Sequence, residues 1–416
     1  MAFTPPMRPS TAPRLVATTG LAGGRFRARS TINLNHRNRR DLVFWFSALN
    51  PYMRDRFTEL AARGSLAFEC WFNRPIDADR SWDVDYSSAA FDYRLLPTIG
   101  ARGYSLAIPV GAFVMARPRV VFTFHGYTDF LMGPPLASLT RTKLIYYIER
   151  TFDTWTPRHP AKELVKRFLI SRASGIASPG RDGDRYALRY GADPRRLHRV
   201  HHVVDVEGFA RGAEARGSLP VLEQRRQLGL RGFTFCYVGR IWEQKGIGTL
   251  LDAASLLRSW GIEFSLLLVG DGVDANRYRC LARVHALNEV KFLAFVQQTE
   301  LPSVLALANA FVFPTRGDPY GLVVDEAMAS GLPVIATYNA GEIHSRVVPG
   351  RTGDLVPVDD AASLAAAMAR LARNPRLALA MGSAGQSRIR RRTYAGWADE
   401  IERMVEREVR GGKRGP

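Results

Sequence analysis

The sequence predicts an α/β protein built from two doubly wound parallel sheets, Rossmann-like in character, that face each other across a cleft. Short apolar runs alternate with helix-like stretches along most of the 416 residues, which is the pattern of a parallel sheet covered by helices. The alternation occurs in two series, separated by a charged segment that holds four glycines and one proline. The length suits two or three domains, and the apolar share of 46% can fill a core in each.

The first series predicts the strands of an N-terminal sheet. Each run is bounded by loop residues, and several are followed by helix-like stretches. The predicted strands are Leu15–Thr18, Leu42–Phe46, Leu66–Phe68, Val120–Phe124, Ile176–Ser178 and Val200–Val204.

In the second series apolar runs and helix-like stretches alternate more regularly, which predicts a second sheet. Its elements in order are Thr234–Val238, a helix over about 246–260, Phe264–Val269, a helix over about 274–287, Val290–Phe295, a helix over about 300–309, and Phe311–Pro314. We therefore predict an N-terminal domain over 1–215 and a second domain over 216–390. A helix within 391–416 either crosses back to brace the first domain or ends the chain in solvent.

Composition excludes several classes of protein. No apolar run reaches the roughly 18 residues of a membrane span, and residues 1–13 hold four prolines without an apolar stretch, so a cytoplasmic protein is expected. Cys70, Cys236 and Cys280 are far apart and lack zinc-site spacing, which favours reduced core residues.

The net charge of +19 is concentrated in the first half, where residues 1–216 contribute 33 Lys and Arg against 19 Asp and Glu. Such a surface attracts anions, although a merely solvated basic surface explains it equally well. The stretch from Arg141 to Arg172 mixes basic and aromatic residues. It suits either a helix lying on an anionic bilayer or aromatic packing inside the domain.

Two strand ends in the second half suit a phosphate ligand. Arg240 follows the first strand and Lys245 precedes the next helix, so both cations can neutralise the charge of a departing diphosphate. Gly270 and Gly272 follow the next strand, where glycine permits a tight turn and a close backbone approach to a ligand. An ordinary strand-to-helix loop explains either feature as well.

The segment 314–336 carries the strongest signal, because it is typical of strand, loop, helix, turn and strand in that order. A helix that starts at Gly321 directs the free amides of Gly321, Leu322 and Val323 toward phosphate oxygens. Asp318 precedes this helix and Glu326 lies within it, roughly 8 to 12 Å apart at 1.5 Å per residue. One carboxylate can accept hydrogen bonds from a sugar and the other from ribose.

These residues resemble the E-x7-E signature of the family 4 retaining glycosyltransferases, with Asp318 where the family usually has Glu. The resemblance covers about residues 233–356 and implies the GT-B fold and a nucleotide diphosphate sugar as donor. It assigns Arg240 and Lys245 to the diphosphate, Glu326 to ribose and Asp318 to the donor sugar. The loss of one methylene withdraws the carboxylate by about 1.5 Å, a displacement that matters for reactivity.

In the first half the resemblance is weaker. Gly23 and Gly24, after the first predicted strand, resemble the family's loop over the donor phosphate, although a Gly-Gly pair is also ordinary turn chemistry. His125, just past Val120–Phe124, takes the position of a histidine beside the transferred sugar. A buried structural histidine is the alternative. His201 and His202 are expected to be structural.

The resulting hypothesis is a retaining hexosyltransferase that needs no metal or other cofactor and acts on a glycan or lipid-linked acceptor, in cell-surface polysaccharide or glycolipid synthesis. Peripheral contact with the inner face of a membrane is a further option. A metal-dependent GT-A enzyme is a weak rival, based on Asp77–Ala78–Asp79 and Asp83–Val84–Asp85. The other alternative is a non-catalytic nucleotide-binding protein, or a basic protein that binds membranes or nucleic acid. No nucleic-acid partner is expected, because no recognition signature occurs.

Overall fold

The computed structural model describes residues 39–75, 82–99, 106–124, 127–151 and 160–411, all of which belong to one compact unit, Arg39–Pro416. Within these residues the first half forms a parallel seven-stranded sheet with the order β3-β2-β1-β6-β7-β8-β9. Its strands are β1 (Leu42–Phe46), β2 (Phe68–Phe72), β3 (Tyr93–Leu95), β6 (Val120–Phe124), β7 (Lys143–Tyr147), β8 (Gly175–Ser178) and β9 (Leu197–Arg199). An antiparallel pair, β4 (Thr98–Ile99) and β5 (Leu106–Ala107), stands apart from it.

The second half forms a parallel six-stranded sheet with the order β12-β11-β10-β13-β14-β15. Its strands are β10 (Phe233–Val238), β11 (Phe264–Val269), β12 (Val290–Leu293), β13 (Ala310–Phe313), β14 (Val334–Thr337) and β15 (Gly353–Val356). The direction of strand addition reverses between β10 and β13, and ligands bind at such a switch point in open parallel sheets. The prediction of two parallel α/β sheets is confirmed.

Helices cover both sheets. Those of the first half are α1 (Pro51–Arg63), α2 (Val110–Ala116), α3 (Tyr127–Thr140), α4 (Pro160–Arg172), α5 (Arg181–Arg189) and α6 (Val206–Glu214). The remainder are α7 (Leu219–Gln227), α8 (Ile247–Ser259), α9 (Ala275–Val284), α10 (Leu301–Ala306), α11 (Leu322–Ala329), α12 (Ile343–Arg346), α13 (Ala361–Arg373), α14 (Pro375–Ile389) and α15 (Tyr394–Gly411).

The core of the second half is mostly aliphatic, whereas the core around α1 and β1 is rich in aromatic residues. Phe57 and Phe122 both pack against Phe44, with ring centroids 4.7 Å and 5.6 Å from its own. Trp397, on the last helix α15, lies 5.9 Å from Phe44. The chain therefore returns to the first half at its end, and α15 completes the core beneath α1.

Two predicted strands of the first half are corrected, and one pair of alternatives is decided. The strand predicted at Leu66–Phe68 is Phe68–Phe72, which includes Glu69 because that carboxylate is buried against Arg94, 2.9 Å away. Val200–Val204 is buried except at His201 but is not a strand, since the chain leaves the sheet there toward α6. Of the two alternatives for Arg141–Arg172, a single helix does not occur, whereas aromatic packing inside the domain does occur at Tyr146 and Tyr147.

The stretch Arg141–Arg172 contains the buried strand β7 and the separate helix α4. β7 pairs with β6 on one side and with β8 on the other. Tyr146 and Tyr147 are therefore core residues of a central strand. The predicted strand Leu15–Thr18 lies outside the described residues.

Candidate functional site

The candidate site is built on the loops that follow β10 and β13, on either side of the switch point. After β10 the chain turns through Arg240 into a short 3-10 turn, Glu243–Lys245, and then into α8. Gly246 starts that helix with φ +69°, and a Cβ there would lie 1.9 Å from the carbonyl oxygen of Pro314. The loop after β10 is therefore docked directly on the loop after β13.

This docking brings Lys245 and Asp318 together as an ion pair, with both side chains largely buried. The other Asp318 oxygen accepts a hydrogen bond from the Tyr320 amide at 3.1 Å. Tyr237, at the end of β10, lies within electrostatic reach of both Asp318 and Arg240. The cation and the carboxylate that the sequence predicted at this site are thus neighbours in the structure.

Arg240 is exposed and stacks on Trp242, with its guanidinium carbon 4.7 Å from the ring centroid. The indole N–H of Trp242 is buried and has no hydrogen-bond partner among the residues described. Arg240 makes no ion pair with Asp318 or Glu326 in the described part of the chain. Its side chain is therefore held beside the site by an aromatic contact instead of by the carboxylates.

Gly321 sits where the sequence placed it, directly before the first residue of α11. Its φ of +73° is in the left-handed region, and a Cβ there would lie 2.7 Å from the Phe313 ring. Glycine is therefore required on both conformational and steric grounds. Leu322 and Val323 form the first turn of α11, whose leading amides lack helical partners.

Glu326 is 1% exposed, and the phenol of Tyr52 donates a hydrogen bond to its Oε1 at 2.8 Å. Burial raises the pKa of Glu326 to about 7, and the Tyr52 hydrogen bond opposes part of that shift. Tyr52 belongs to α1, which follows the interior strand β1 of the first sheet. The carboxyl edge of that sheet therefore meets the start of α11.

Behind α11 lies a buried charge network that the sequence analysis missed. Arg346 is fully buried, 3.2 Å from Asp325, and donates to the carbonyl oxygens of Tyr320, Gly321 and Gly341. The Tyr320 phenol donates to Asp325 at 2.9 Å. This network anchors the Asp318–Gly321 loop from below. No local pattern signals it, because Arg346 is 21 residues from Asp325 along the chain.

Gly270 and Gly272 have a packing role in the structure. A Cβ on Gly270 would lie 2.0 Å from the Gly239 carbonyl oxygen, and one on Gly272 would lie 2.3 Å from that of Ile241. The loop after β11 is thus pressed against the loop after β10. The glycines are needed for this contact whether or not a ligand is bound.

Three predicted site residues, Gly23, Gly24 and His125, lie outside the described residues, as do Asp77 and Asp79. The first sheet instead presents the loop after β1, where Asn50 caps α1 by accepting from the Met53 amide at 2.9 Å. A strand followed by an Asn-Pro helix start was the available signal, and Tyr52 is the second residue of that helix.

The two sequential histidines make separate contacts with carboxylates. His201 Nδ1 lies 2.6 Å from Glu400, while His202 Nε2 lies 2.9 Å from Glu149 and its ring is 4.5 Å from that of Tyr320. Burial lowers the pKa of His202. Within the described part of the chain, no three His, Cys, Asp or Glu side chains are grouped as metal ligands.

Comparison with known families matches residues 232–374, the part that carries Lys245, Asp318 and Glu326, to the family described as "Glycosyl transferases group 1". Residues 232–374 form a group 1 glycosyltransferase domain. The two sheets that the structure describes have the arrangement of the GT-B fold. Anabaena Alr3699/HepE, solved in complex with UDP, covers 88% of this chain with 99% of its own at a TM-score of 0.71 and 18% identity.

Sequence relatives of this chain are named as glycosyltransferases or as glycogen synthase. The glycogen synthase of Mycobacterium tuberculosis (strain CDC 1551 / Oshkosh) is 33% identical over 154 residues, which is 37% of this chain and 37% of that protein. The 2-deoxystreptamine glucosyltransferase of Streptomyces kanamyceticus is 26% identical over 81% of this chain and 80% of its own. Several other relatives are matched over only 49% to 59% of their length.

Proposed function

We propose that the protein is a retaining glycosyltransferase that transfers a hexose-type sugar from a nucleotide diphosphate sugar to a glycan or lipid-linked acceptor. The observation that carries the proposal is the position of Lys245, Asp318 and Glu326 around the start of α11 at the switch point of the second sheet. That place suits a phosphate ligand between two carboxylates. The group 1 domain gives independent support.

In the proposed complex the diphosphate lies against the first amides of α11, next to Lys245 and Arg240. Binding separates Lys245 from Asp318, so the ammonium pairs with phosphate and the carboxylate turns to the sugar hydroxyls. Glu326 accepts hydrogen bonds from ribose. Negative charge then accumulates on the phosphate beside two cations and a helix start, which stabilises the transition state more than the ground state.

Transfer proceeds on one face of the sugar. The bond between the anomeric carbon and the phosphate oxygen breaks through an oxocarbenium-like state, and the acceptor oxygen forms its bond to the same face. The acceptor proton passes to the departing phosphate, so no protein base is needed. We propose that Lys245 and Arg240 supply the charge that a metal supplies in other transferases.

Nucleotide binding and the role of Lys245 are tested together. UDP-, GDP- and ADP-sugars are screened for an increase in melting temperature, because a ligand that binds only the folded protein stabilises it. With the donor so identified, Lys245→Ala is expected to lower kcat by about 100-fold or more and to weaken nucleotide binding by much less. Lys291→Ala, on the edge strand β12, is the matched control and leaves both values near those of the wild type.

Three outcomes contradict parts of the proposal. Equal losses in turnover and binding for Lys245→Ala remove its transition-state role. Tight binding without turnover of any acceptor indicates a non-catalytic nucleotide-binding protein. Loss of activity in EDTA that Mn²⁺ restores contradicts metal independence. A product whose anomeric proton signal shows the opposite anomeric configuration from that of the donor contradicts retention.

A further inference from the structure

The first half exposes apolar side chains along one layer of helices. α2, α3, α4 and α5 cover the same face of the seven-stranded sheet, where their inner residues share one core cluster. On the outside of three of these helices six large apolar side chains are more than half exposed. They are Val114 (58%), Met115 (61%), Leu139 (79%), Leu164 (69%), Val165 (52%) and Phe168 (53%). These six define the α2–α4 face.

We propose that the α2–α4 face docks on an anionic lipid bilayer. α4 carries the clearest signal, because Leu164, Val165 and Phe168 are spaced one turn apart and lie more than half exposed. Ile170 faces the core, so the exposed apolar side chains lie on the opposite, outer side of α4. An apolar surface of this kind marks a site of contact with a protein or a membrane.

Charge selects the anionic membrane as the partner. Lys162, Arg167 and Arg172 of α4 are exposed, and the Arg172 guanidinium covers the Phe168 ring at 4.1 Å. The single acid of α4, Glu163, is only partly exposed and accepts a hydrogen bond from Lys166 at 2.8 Å. The outside of α4 is therefore apolar and cationic at once, the combination that binds anionic headgroups and inserts side chains between them.

The remaining edges of the α2–α4 face have the same sign. Arg117 follows α2, and Arg141 and Lys143 follow Leu139 of α3; all three are exposed. α2 contains no acidic residue. A protein partner would need a matching acidic surface, whereas a bilayer with phosphatidylglycerol presents negative charge over any area.

The position of α4 connects this surface with the proposed site and deepens the proposed function, on which this step rests. α4 joins the parallel strands β7 and β8, so it begins at their carboxyl edge and runs back toward their amino edge. The same edge carries Tyr52, which reaches Glu326. A bilayer on the α2–α4 face therefore lies next to the catalytic edge, as an acceptor anchored in lipid requires.

The test compares vesicle binding of two matched variants. The α4 variant carries Leu164→Ser, Val165→Ser and Phe168→Ser, and the control carries Val273→Ser, Val284→Ser and Leu379→Ser, whose side chains are 61% to 89% exposed on the second half. Full-length protein is sedimented with vesicles of phosphatidylcholine containing 30% phosphatidylglycerol or none. We expect wild type and control to bind the anionic vesicles equally, and the α4 variant to bind about tenfold more weakly.

A second pair isolates the charge and also serves if the apolar variant fails to fold. Arg167→Gln with Arg172→Gln is expected to abolish the preference for anionic vesicles, while Arg373→Gln with Arg376→Gln keeps it. Raising salt from 50 to 500 mM weakens wild-type binding, because the headgroup attraction is screened.

Several results overturn the proposal. The first is that the wild type does not bind anionic vesicles, and the second is that the control and α4 variants lose vesicle binding equally. The third is that the wild type is a dimer and the α4 variant a monomer, which assigns the face to a second copy. Nucleotide binding measured on the same samples separates the two hypotheses. If the wild type binds no nucleotide, the proposed function is refuted. If the α4 variant still binds nucleotide, its defect is confined to the α2–α4 face.

Discussion

At the scale of single residues, Glu326 shows how the fold changes the chemistry of a common side chain. Its carboxyl group is almost completely removed from water and contacts Tyr52 from the opposite half of the protein. Because burial disfavours the charged form, the pKa rises to about 7 instead of remaining near 4.5. The protonation of this group is therefore linked to stability in the neutral pH range.

The first prediction concerns this linkage. A carboxyl whose pKa is raised on folding stabilises the protein below its unfolded pKa, and that contribution is lost as pH rises through about 7. Glu326→Gln removes the ionisable group. Between pH 4.5 and pH 8 the free energy of unfolding of the wild type should therefore fall by about 2 to 3 kcal/mol relative to that of the variant. Urea unfolding at several pH values measures the difference. Parallel profiles for both proteins contradict the assignment.

The second prediction concerns Tyr52, whose phenol donates a hydrogen bond to Glu326, the carboxylate that we propose binds ribose. Tyr52→Phe keeps the ring and removes the donor, so Glu326 becomes available and the nucleotide should bind about three- to tenfold more tightly. The melting temperature should fall slightly, since one hydrogen bond to a buried carboxyl is lost. Calorimetric titration with the donor nucleotide measures the affinity.

The control for Tyr52 is Tyr394→Phe, because its phenol contacts Asp55, 3.4 Å away and within the first half. That change should leave nucleotide affinity unaltered. Weaker binding by Tyr52→Phe would instead show that the phenol contacts the bound nucleotide.

At the scale of secondary-structure elements, the two halves are joined by a carboxylate placed on a helix start. Glu342, just before α12, accepts hydrogen bonds from the amides of Asp182 and Gly183 at the start of α5, each at 2.8 Å. Its φ of +52° is unusual for a residue other than glycine and costs about 1 to 3 kcal/mol. A Cβ on Gly180 would lie 1.9 Å from this carboxylate. The backbone strain at one residue is therefore offset by a contact between elements.

The third prediction tests this contact. Gly180→Ala should expel the Glu342 carboxylate and speed hydrogen exchange of the Asp182 and Gly183 amides by about tenfold, because their acceptor is lost. Glu342→Gln should have a smaller effect in the same direction. Gly111→Ala in α2, where a Cβ meets nothing within 4 Å, is the matched control. Unchanged exchange in Gly180→Ala would show that the contact does not hold the halves together.

At the scale of the whole molecule, the last helix stabilises the first sheet. Trp397 of α15 is 3% exposed, 5.9 Å from the Phe44 ring and 5.6 Å from the Arg56 guanidinium. A small pocket lined by Phe44, Arg56 and Trp397 lies beside these contacts. The stability of the first half therefore depends on residues that are last in the chain.

The fourth prediction follows from this packing. Trp397→Ala should destabilise the first half by about 3 to 5 kcal/mol, because it removes a large buried aromatic side chain. Differential scanning calorimetry should show an earlier transition for that half. Trp260→Ala, whose side chain is 42% exposed, should have little effect. Equal effects of both changes would contradict a bracing role of α15.

The sequence by itself determined the two parallel sheets, nearly all strands of the second half and the strand-loop-helix order around Gly321. The reason is that apolar periodicity and glycine placement are local properties, and they are strongest where strands are buried on both faces. β11 was predicted with its observed bounds, Phe264–Val269. The spacing of Asp318 and Glu326 could likewise be recognised in the sequence, because both residues lie within one loop and the helix that follows it.

Only the tertiary structure decided what these residues contact. The Tyr52 contact with Glu326 joins residues 274 positions apart, and the Glu342 contact with α5 joins residues 159 to 160 positions apart. The strand β7 was hidden because its tyrosines, among basic neighbours, also suit an amphipathic helix. Burial, and with it the pKa of Glu326, arises when separate elements exclude water together, and no local pattern contains that information.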